Sequence, residues 1–197
     1  MTPSSEIGVI GSGKLYGLWR DLNNIPHDLY DDTKDELPNI SECENKKIYV
    51  AIGLPSARKD LYEQFKDREI ISVIGPMARI SDSSYIDVGA FINSFDCVNY
   101  GAKIGKGFIM GMNSVVDVNA TIGDFVRLSS LVYIGHSAKV GSGCIINAGV
   151  TVLPDVEIGE NVFVAAGSVV THSFGSNITI AGAPARIVNG NNELHRI

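Results

Sequence analysis

The sequence predicts a β-solenoid of about five coils that follows a small α/β domain. Between residues 80 and 175, every sixth position carries an aliphatic residue or methionine. A period of six does not match an α-helix, whereas three hexads make one triangular coil of eighteen residues. Sixteen hexads give a little over five coils, whose parallel strands would stack about 4.8 Å apart. The row consists of Ile80, Ile86, Ile92, Val98, Ile104, Met110, Val116, Ile122, Leu128, Ile134, Val140, Ile146, Val152, Ile158, Val164 and Val170.

A second row of small or apolar residues comes four positions after the first. Glycine and asparagine recur between the rows, as short strands separated by turns require. Each inward aliphatic side chain contributes about 1.5–3 kcal/mol when buried, so the stack can be stable without metals or disulfides. The second row consists of Ala90, Ala102, Ser114, Ala120, Val126, Val132, Ala138, Cys144, Val150, Val156, Val162 and Ser168.

The first seventy-five residues show a different pattern, so we expect one domain over residues 1–75 and a second over residues 76–197. Strands alternate with helices in the first domain, which predicts a small parallel sheet covered by helices. The predicted strands are Ile7–Ile10, Ile48–Ile52 and Ile70–Ile74, and the predicted helices are Leu15–Leu22 and Ala57–Phe65.

A glycine-rich turn, Gly11-Ser12-Gly13, lies between the first predicted strand and helix. If this turn is compared with a Walker loop, Lys14 matches the lysine of that motif. Leu15, however, stands where a hydroxyl group must reach magnesium. NTP hydrolysis is therefore disfavoured.

The same turn also resembles part of a dinucleotide-binding fingerprint, although Tyr16 takes the place of the third glycine. Asp31 and Asp32 follow near the end of a second strand, where an acidic side chain would meet a ribose or a base. Two interpretations stay open: a truncated mononucleotide site, and a tight turn without a ligand.

Composition excludes several classes of protein. The net charge of −6 and the pI of about 5.1 argue against nucleic acid or an anionic membrane as a partner. The N-terminus lacks the pattern of a signal peptide, and no apolar stretch is long enough to cross a bilayer. Cys43, Cys97 and Cys144 lack metal-site spacing and are interpreted as reduced thiols. We therefore expect a cytoplasmic protein without a metal site.

One of the four histidines interrupts a hexad. His136 occupies an outward turn position two residues after Ile134, where the imidazole stays hydrated and suits general-base chemistry near neutral pH. A surface histidine without a function fits the spacing equally well. His27, His172 and His195 are expected to be solvated surface residues.

The chain resembles the hexapeptide-repeat acyltransferases in its hexads and in the tail that follows them. These segments are IGKGFI, IGDFVR, IGHSAK, VGSGCI, INAGVT, VLPDVE, IGENVF, VAAGSV and GAPARIV. It is also similar to the subgroup that acetylates nucleotide-linked amino sugars or sialic acids, which has a small Rossmann-like domain ahead of the β-helix. That similarity lies in GVIGSGK, LYDD, VAIG and VIGPMARIS.

The resemblance implies a left-handed parallel β-helix, a homotrimer, and acetyl-CoA bound as co-substrate between adjacent prisms, with no tightly bound cofactor. It implies that His136 acts as the base on the acceptor amine or hydroxyl. The residues implied for acetyl-CoA are Asn147, Ala148, Ala166 and Gly167 along the pantetheine arm and Arg186 at a CoA phosphate. Those implied for the nucleotide sugar are Gly11, Ser12, Gly13, Asp31, Asp32 and Gly53.

Two positions depart from the family. Pro154 lies one coil after His136, where the family often has a glycine whose amide faces the thioester, and proline has no N–H to offer. Ser137 stands where an acidic residue commonly follows the histidine, so Asp117 and Asp124 become the nearest candidates to orient the ring.

The function expected from the resemblance is transfer of an acetyl group from acetyl-CoA to the amine of a nucleotide-linked sugar. O-acetylation of sialic acid or of another surface sugar is one alternative. A trimeric scaffold that binds a nucleotide sugar without transferring a group is the other.

Overall fold

The structure, a computed structural model, describes residues 4–23 and 25–188. The chain divides into two compact units, residues 1–73 and 74–197. His195 lies outside the described residues. Neither helix in the described part of the chain is long and apolar enough to cross a membrane.

The first unit contains a four-stranded parallel sheet with the strand order β2-β1-β3-β4. Its buried strands are rich in isoleucine, valine and tyrosine, as a sheet covered by helices requires. Trp19 is buried and its ring stacks on that of Tyr49, with centroids 6.1 Å apart. The elements are β1 (Ile7–Ile10), α1 (Lys14–Leu22), β2 (Asp28–Tyr30), a short 3-10 helix (Ile40–Glu42), β3 (Lys47–Val50), α2 (Pro55–Gln64) and β4 (Glu69–Ile70).

The predicted strand Ile70–Ile74 is wrong as a single element. The chain forms β4 (Glu69–Ile70) beside β3 and then a separate strand, β5 (Val73–Ile74), that belongs to a different sheet. The apolar residues Ile70, Ile71, Val73 and Ile74 are interrupted only by Ser72, so the change of sheet leaves little mark in the sequence.

The second unit consists of three sheets whose strands pair with the strand eighteen residues further along the chain. Face 1 contains β5 (Val73–Ile74), β8 (Phe91–Ile92), β11 (Ile109–Met110), β14 (Arg127–Leu128), β17 (Ile145–Ile146), β20 (Phe163–Val164), β22 (Thr179–Ala181) and the antiparallel β23 (Arg186–Ile187). Face 2 contains β6 (Arg79–Ile80), β9 (Cys97–Val98), β12 (Val115–Val116), β15 (Tyr133–Ile134), β18 (Thr151–Val152) and β21 (Val169–Val170). Face 3 contains β7 (Tyr85–Ile86), β10 (Lys103–Ile104), β13 (Thr121–Ile122), β16 (Lys139–Val140) and β19 (Glu157–Ile158).

The two rows of residues seen in the sequence form the core of this unit. From Ile92 to Val170, every residue of the first row is at most 3% exposed, while Ile80 and Ile86 in the first coil are half-buried. Each member of the second row is also buried. The parallel pairing and the burial confirm a parallel β-strand coil with inward aliphatic rows.

The coil is longer than the five turns that the sequence predicts. It begins at β5, one hexad earlier than Ile80, and it continues to β22. The regular row ends at Val170 because the last turn is two residues shorter: Phe174 pairs with Ile158 and Ile180 with Val164, at a separation of sixteen residues. Ile180 is nevertheless fully buried in the same core.

One acidic residue breaks the apolar second row. Asp96 lies between Ala90 and Ala102 in this row and is 1% exposed. Its two carboxylate oxygens accept hydrogen bonds from the backbone amides of Asn93, at 2.8 Å, and Ser114, at 2.9 Å. Burial raises the pKa of Asp96 to about 7, against the opposing effect of the two amide bonds.

We predict that Asp96 makes the protein less stable as the pH rises from about 4 to about 7. In this range the unfolded chain has already released the proton that the folded protein retains. Asp96→Asn removes this titration but gives up one amide bond, which costs about 1 kcal/mol. In urea unfolding, Asp96→Asn should therefore be less stable than the native protein at pH 5. The difference in the free energy of unfolding should shrink at pH 7.5. An equal difference at both values contradicts the prediction.

Candidate active site

The turns between the faces form three edges along the coil, and His136 lies on the edge between faces 2 and 3. Its turn is held from both sides: Ser137 N donates to Val118 O at 2.8 Å, and Asp155 N donates to His136 O at 3.0 Å. Ser137 has a φ of 56°, which turns the chain sharply at this edge. The His136 side chain is exposed, so the coil presents the imidazole outward on a fixed backbone.

A carboxylate lies on the same edge one coil earlier. Asp117 accepts hydrogen bonds from Tyr133 Oη at 2.7 Å, Asn99 Nδ2 at 2.8 Å and Val118 N at 2.8 Å. The Tyr133 hydroxyl contributes most to holding the pKa of Asp117 below its ordinary value, and the charge of His136 contributes as well. Asp117 is therefore ionised at neutral pH.

Asp124, the other candidate carboxylate, belongs to a different edge. It lies between faces 3 and 1, where it accepts from Lys106 N at 3.1 Å, and its Oδ2 is 3.9 Å from Lys106 Nζ. The structure therefore brings Asp117 and not Asp124 to the edge of His136.

An open cavity of about 610 Å³ lies on the edge of His136, toward the N-terminal end of the coil. Polar and aromatic side chains contribute to its walls, with a cationic group from face 2. The cavity is lined by residues two and three coils before His136, which are roughly 10–14 Å away at the usual strand spacing. The lining includes Arg79, Ser81, Asp82, Asn99 and Tyr100.

The residues expected to bind acetyl-CoA lie on the edge between faces 1 and 2. Ala148 and Ala166 are exposed and stacked in register, since Gly167 N donates to Ala148 O at 2.9 Å. Asn147 Nδ2 donates to Val164 O at 2.8 Å, which turns this side chain along the coil. Within residues 4–23 and 25–188, the backbone amides of Ala148 and Ala166 donate to no acceptor. The edge thus offers free N–H groups beside small side chains.

The same edge changes character along the coil. Its earlier turns carry the exposed apolar residues Phe95, Met112 and Leu131. The large exposed residues end at Leu131, and the equivalent positions in the later coils are Gly149 and Gly167, so a narrow chain can approach the backbone most closely there.

The loop that precedes Arg186 joins this edge. Gly182 N donates to Ser168 Oγ at 3.2 Å, and Ala185 N donates to Val169 O at 2.8 Å. Arg186 is exposed, and one of its guanidinium nitrogens donates to Ala185 O at 2.8 Å. The loop therefore places a cation close to the end of the Ala148–Gly167 edge.

His136 and the Ala148–Gly167 edge do not meet within one chain. The width of face 2 separates the two edges, and the five residue-to-residue steps from Leu131 to His136 span about 16 Å. Pro154 lies at the position of His136 in the next coil and has no amide, and the amide of Asp155 is already bonded to His136 O. Neither Pro154 nor Asp155 can therefore supply an N–H group for an oxyanion beside His136.

In the first unit, the predicted nucleotide residues lie together at the carboxyl ends of β1, β2 and β3. Ser12 donates to Asp31 through its amide and its hydroxyl, both at 2.7 Å, and Thr33 donates through its amide at 2.8 Å and its hydroxyl at 2.6 Å. These four bonds occupy all the acceptor sites of a carboxylate. Burial alone would raise the pKa of Asp31, but the bonds from Thr33 and Ser12 hold it well below its ordinary value.

The neighbouring residues are more accessible. Asp32 is exposed and accepts from Ile40 N at 2.6 Å. Gly13 is exposed, with no atom near the position of an added Cβ. Gly53 O accepts from the buried Arg58 at 2.7 Å, which fixes the loop after β3. The turn at Gly11 needs glycine, because its φ of 97° is rarely adopted by other residues.

Sequence reasoning missed two side chains around Asp117. Asn99 precedes Asp117 by one coil, so the eighteen-residue period could have identified it, whereas the bond from the Tyr133 hydroxyl to Asp117 has no signal in the sequence. His27, expected at the surface, is half-buried: its ring centroid lies 4.6 Å from that of Trp19, and its Nε2 is 3.0 Å from Tyr16 Oη. His172 is exposed, as expected.

Residues 119–154 and 137–172 match the family model described as bacterial transferase hexapeptide (six repeats). This match confirms the resemblance to the hexapeptide-repeat transferases. A serine acetyltransferase from Synechococcus elongatus is 32% identical over 101 residues, which cover 46% of this chain and 41% of that protein. The chain thus matches less than half the length of this relative.

Two solved structures share the fold over nearly the whole chain. A variant of GDP-perosamine N-acetyl transferase from Caulobacter crescentus, in complex with CoA and GDP-perosamine, has a TM-score of 0.90 and 21% identity, covering 95% of this chain and 98% of that one. The acetyltransferase domain of PglB from Neisseria gonorrhoeae, in complex with acetyl coenzyme A, has a TM-score of 0.63 and 24% identity, covering 92% and 98%. In the described part of this chain, no group of three His, Cys, Asp or Glu residues is arranged to hold a metal ion.

We predict that Asp31 stabilises the turn of the first unit. Asp31→Asn replaces an acceptor oxygen by an NH₂ group that faces hydrogen-bond donors, so the free energy of unfolding should fall by about 1–3 kcal/mol. Because the folded pKa is lowered, this difference should shrink as the pH falls below about 4. Asp32→Asn is the matched control and should change stability by less than about 0.5 kcal/mol. Equal urea midpoints for the two variants at pH 7 would contradict this role.

Proposed function

We propose that this chain, which carries the hexapeptide repeats of bacterial transferases, is an acetyl-CoA-dependent N-acetyltransferase that acts on a nucleotide-linked amino sugar. The observation that carries this proposal is the exposed His136 on a rigid edge of the coil, with the ionised Asp117 on the same edge one coil earlier. We further propose that the coil is a left-handed β-helix and that the first unit is a Rossmann-like domain. The likeness of fold to the perosamine and PglB enzymes supports both assignments.

In the proposed reaction, the imidazole of His136 accepts the proton of the acceptor amine as the nitrogen attacks the thioester carbonyl of acetyl-CoA. The C–S bond then breaks, and the CoA thiolate leaves with the electron pair and takes up a proton. Holding both substrates in place lowers the entropic part of the barrier, and the base contributes about 10²–10⁴-fold.

The donor would lie along the edge that contains Asn147, Ala148, Ala166 and Gly167. The free amides of Ala148 and Ala166 can donate to the carbonyl groups of pantetheine or to the developing oxyanion. The guanidinium of Arg186 suits a phosphate of CoA. Because Pro154 has no N–H and the Asp155 amide is bonded to His136 O, we propose that the oxyanion donor comes from the edge of Ala148 and Ala166.

We infer that the active enzyme is a homotrimer in which the donor edge of one copy faces His136 of another. The separation of these two edges by face 2 supports this arrangement, because one chain alone cannot place acetyl-CoA beside its own imidazole. The apolar side chains Leu131 and Leu153 on the two flanking edges are exposed, which is consistent with contact between copies.

For the acceptor, we propose that its nucleotide is bound by the first unit. The nucleotide would contact the first unit at Gly11–Gly13, Asp32 and Gly53, with Asp31 shaping the turn. A nucleotide-linked amino sugar is favoured because the perosamine enzyme was solved with GDP-perosamine and CoA. O-acetylation of sialic acid or another surface sugar is the second candidate, and a silent nucleotide-sugar-binding scaffold is the third.

We predict that the protein releases CoA thiol from acetyl-CoA with at least one member of a panel of nucleotide-linked amino sugars. His136→Ala should lower kcat by about 10²–10⁴-fold while the Kd for CoA stays within about twofold, because the base is not needed for binding. His172→Ala, which removes an exposed histidine of a later coil, is the matched control and should keep full activity.

The products separate the three candidates. An N-acetylated sugar supports the proposed function, whereas release of thiol only with free sialic acid favours the O-acetyltransferase. Absence of thiol release with every acceptor, together with nucleotide-sugar binding that is indifferent to His136→Ala, would indicate a scaffold.

A further inference from the structure

We propose that Asp117, held by Tyr133 and Asn99 one coil before His136, is the positioning residue that orients the imidazole and stabilises its protonated form. This inference rests on the proposed function, in which His136 is the base. It assigns a role to a carboxylate from the preceding coil, because Ser137, the residue next to the histidine, carries no charge.

The register of the coil places Asp117 on the same edge as His136, one coil earlier, while Asp155 lies on this edge one coil later. Asp117 N donates to Ile134 O at 2.9 Å, so the residue lies directly below Gly135 in the stack. His136 is the next residue along the same edge, and adjacent coils are about 4.8 Å apart. The two side chains therefore leave the same edge from neighbouring coils.

Three hydrogen bonds fix the carboxylate and leave part of it free. Oδ1 accepts from Asn99 Nδ2 and Val118 N, both at 2.8 Å, while Oδ2 accepts only from Tyr133 Oη, at 2.7 Å. Since a carboxylate has about four acceptor sites, one site on Oδ2 is available for the N–H of an imidazole. A carboxylate held in this way can orient a ring without moving itself.

The charge of the pair matches the proposed reaction. Tyr133 and His136 are the titratable groups that act on Asp117, and both favour its ionised form. The imidazole becomes positive when it takes the acceptor proton, so a fixed negative charge beside it stabilises that state. Asp124 offers no such charge, because it lies on another edge with Lys106.

The test compares Asp117→Asn with Asp124→Asn in the full chain. Asn at 117 keeps an oxygen for the Val118 amide, and Asp117→Ser is a second variant that can also accept that bond. The first measurement is the titration of the His136 ring by NMR, and it needs no substrate. The His136 signal is assigned by its absence in His136→Ala. The second is the pH dependence of kcat/KM in the thiol-release assay.

We expect the His136 titration midpoint to be lower in Asp117→Asn than in the native protein, because an opposite charge is lost. kcat should fall by about tenfold to a hundredfold, less than for loss of the base itself, while the KM for acetyl-CoA stays within about twofold. The acid limb of the kcat/KM profile should move by the same amount. Asp124→Asn should change none of these quantities.

An unchanged His136 midpoint in both Asp117 variants would overturn the inference. A merely structural role for Asp117 would lower the melting temperature without moving the midpoint, and this outcome also overturns it. If the midpoint shifts but the native protein releases no thiol with any acceptor, the pairing stands and the proposed function fails.

Discussion

The eighteen-residue register of the coil is the constraint on which the structure of the second unit depends. Each inward residue, such as Ile134, packs on its equivalents in the coils before and after, and the parallel ladders align their turns as well. Residues that are far apart in sequence thereby share an edge: Asn99, Asp117 and Gly135 form one column, and Ala148 and Ala166 form part of another. A single-residue insertion between them would move every later side chain to a different position.

The same register explains why the candidate site is divided. His136 and Asp117 lie between faces 2 and 3, whereas the free amides of Ala148 and Ala166 lie between faces 1 and 2. Buried aliphatic packing makes each edge rigid, so neither can move to meet the other across face 2. A second copy of the chain is the simplest way to bring a donor edge to the imidazole, which links the proposed chemistry to the proposed trimer.

The sequence predicted the coil because its core repeats strictly, and it predicted that His136 faces outward because Ile134 must face inward. It did not predict features that depend on three-dimensional detail. The two-residue shortening before Phe174 ended the visible row although Ile180 continues the core. The hydrogen bonds that occupy Asp31 arise from how one turn folds back, and the bond from Tyr133 to Asp117 depends on a side-chain conformation. Periodicity specifies neither.

The most direct test of this account is complementation between two inactive chains. His136→Ala removes the base, and Ala166→Trp fills the donor edge, so each variant alone should be inactive. If the site is shared between copies, a one-to-one mixture refolded together should recover about one quarter of the native activity, because chains pair at random at each seam. A mixture that recovers no activity, although the native protein is active and both variants fold and associate, would show that the two edges do not act together across copies.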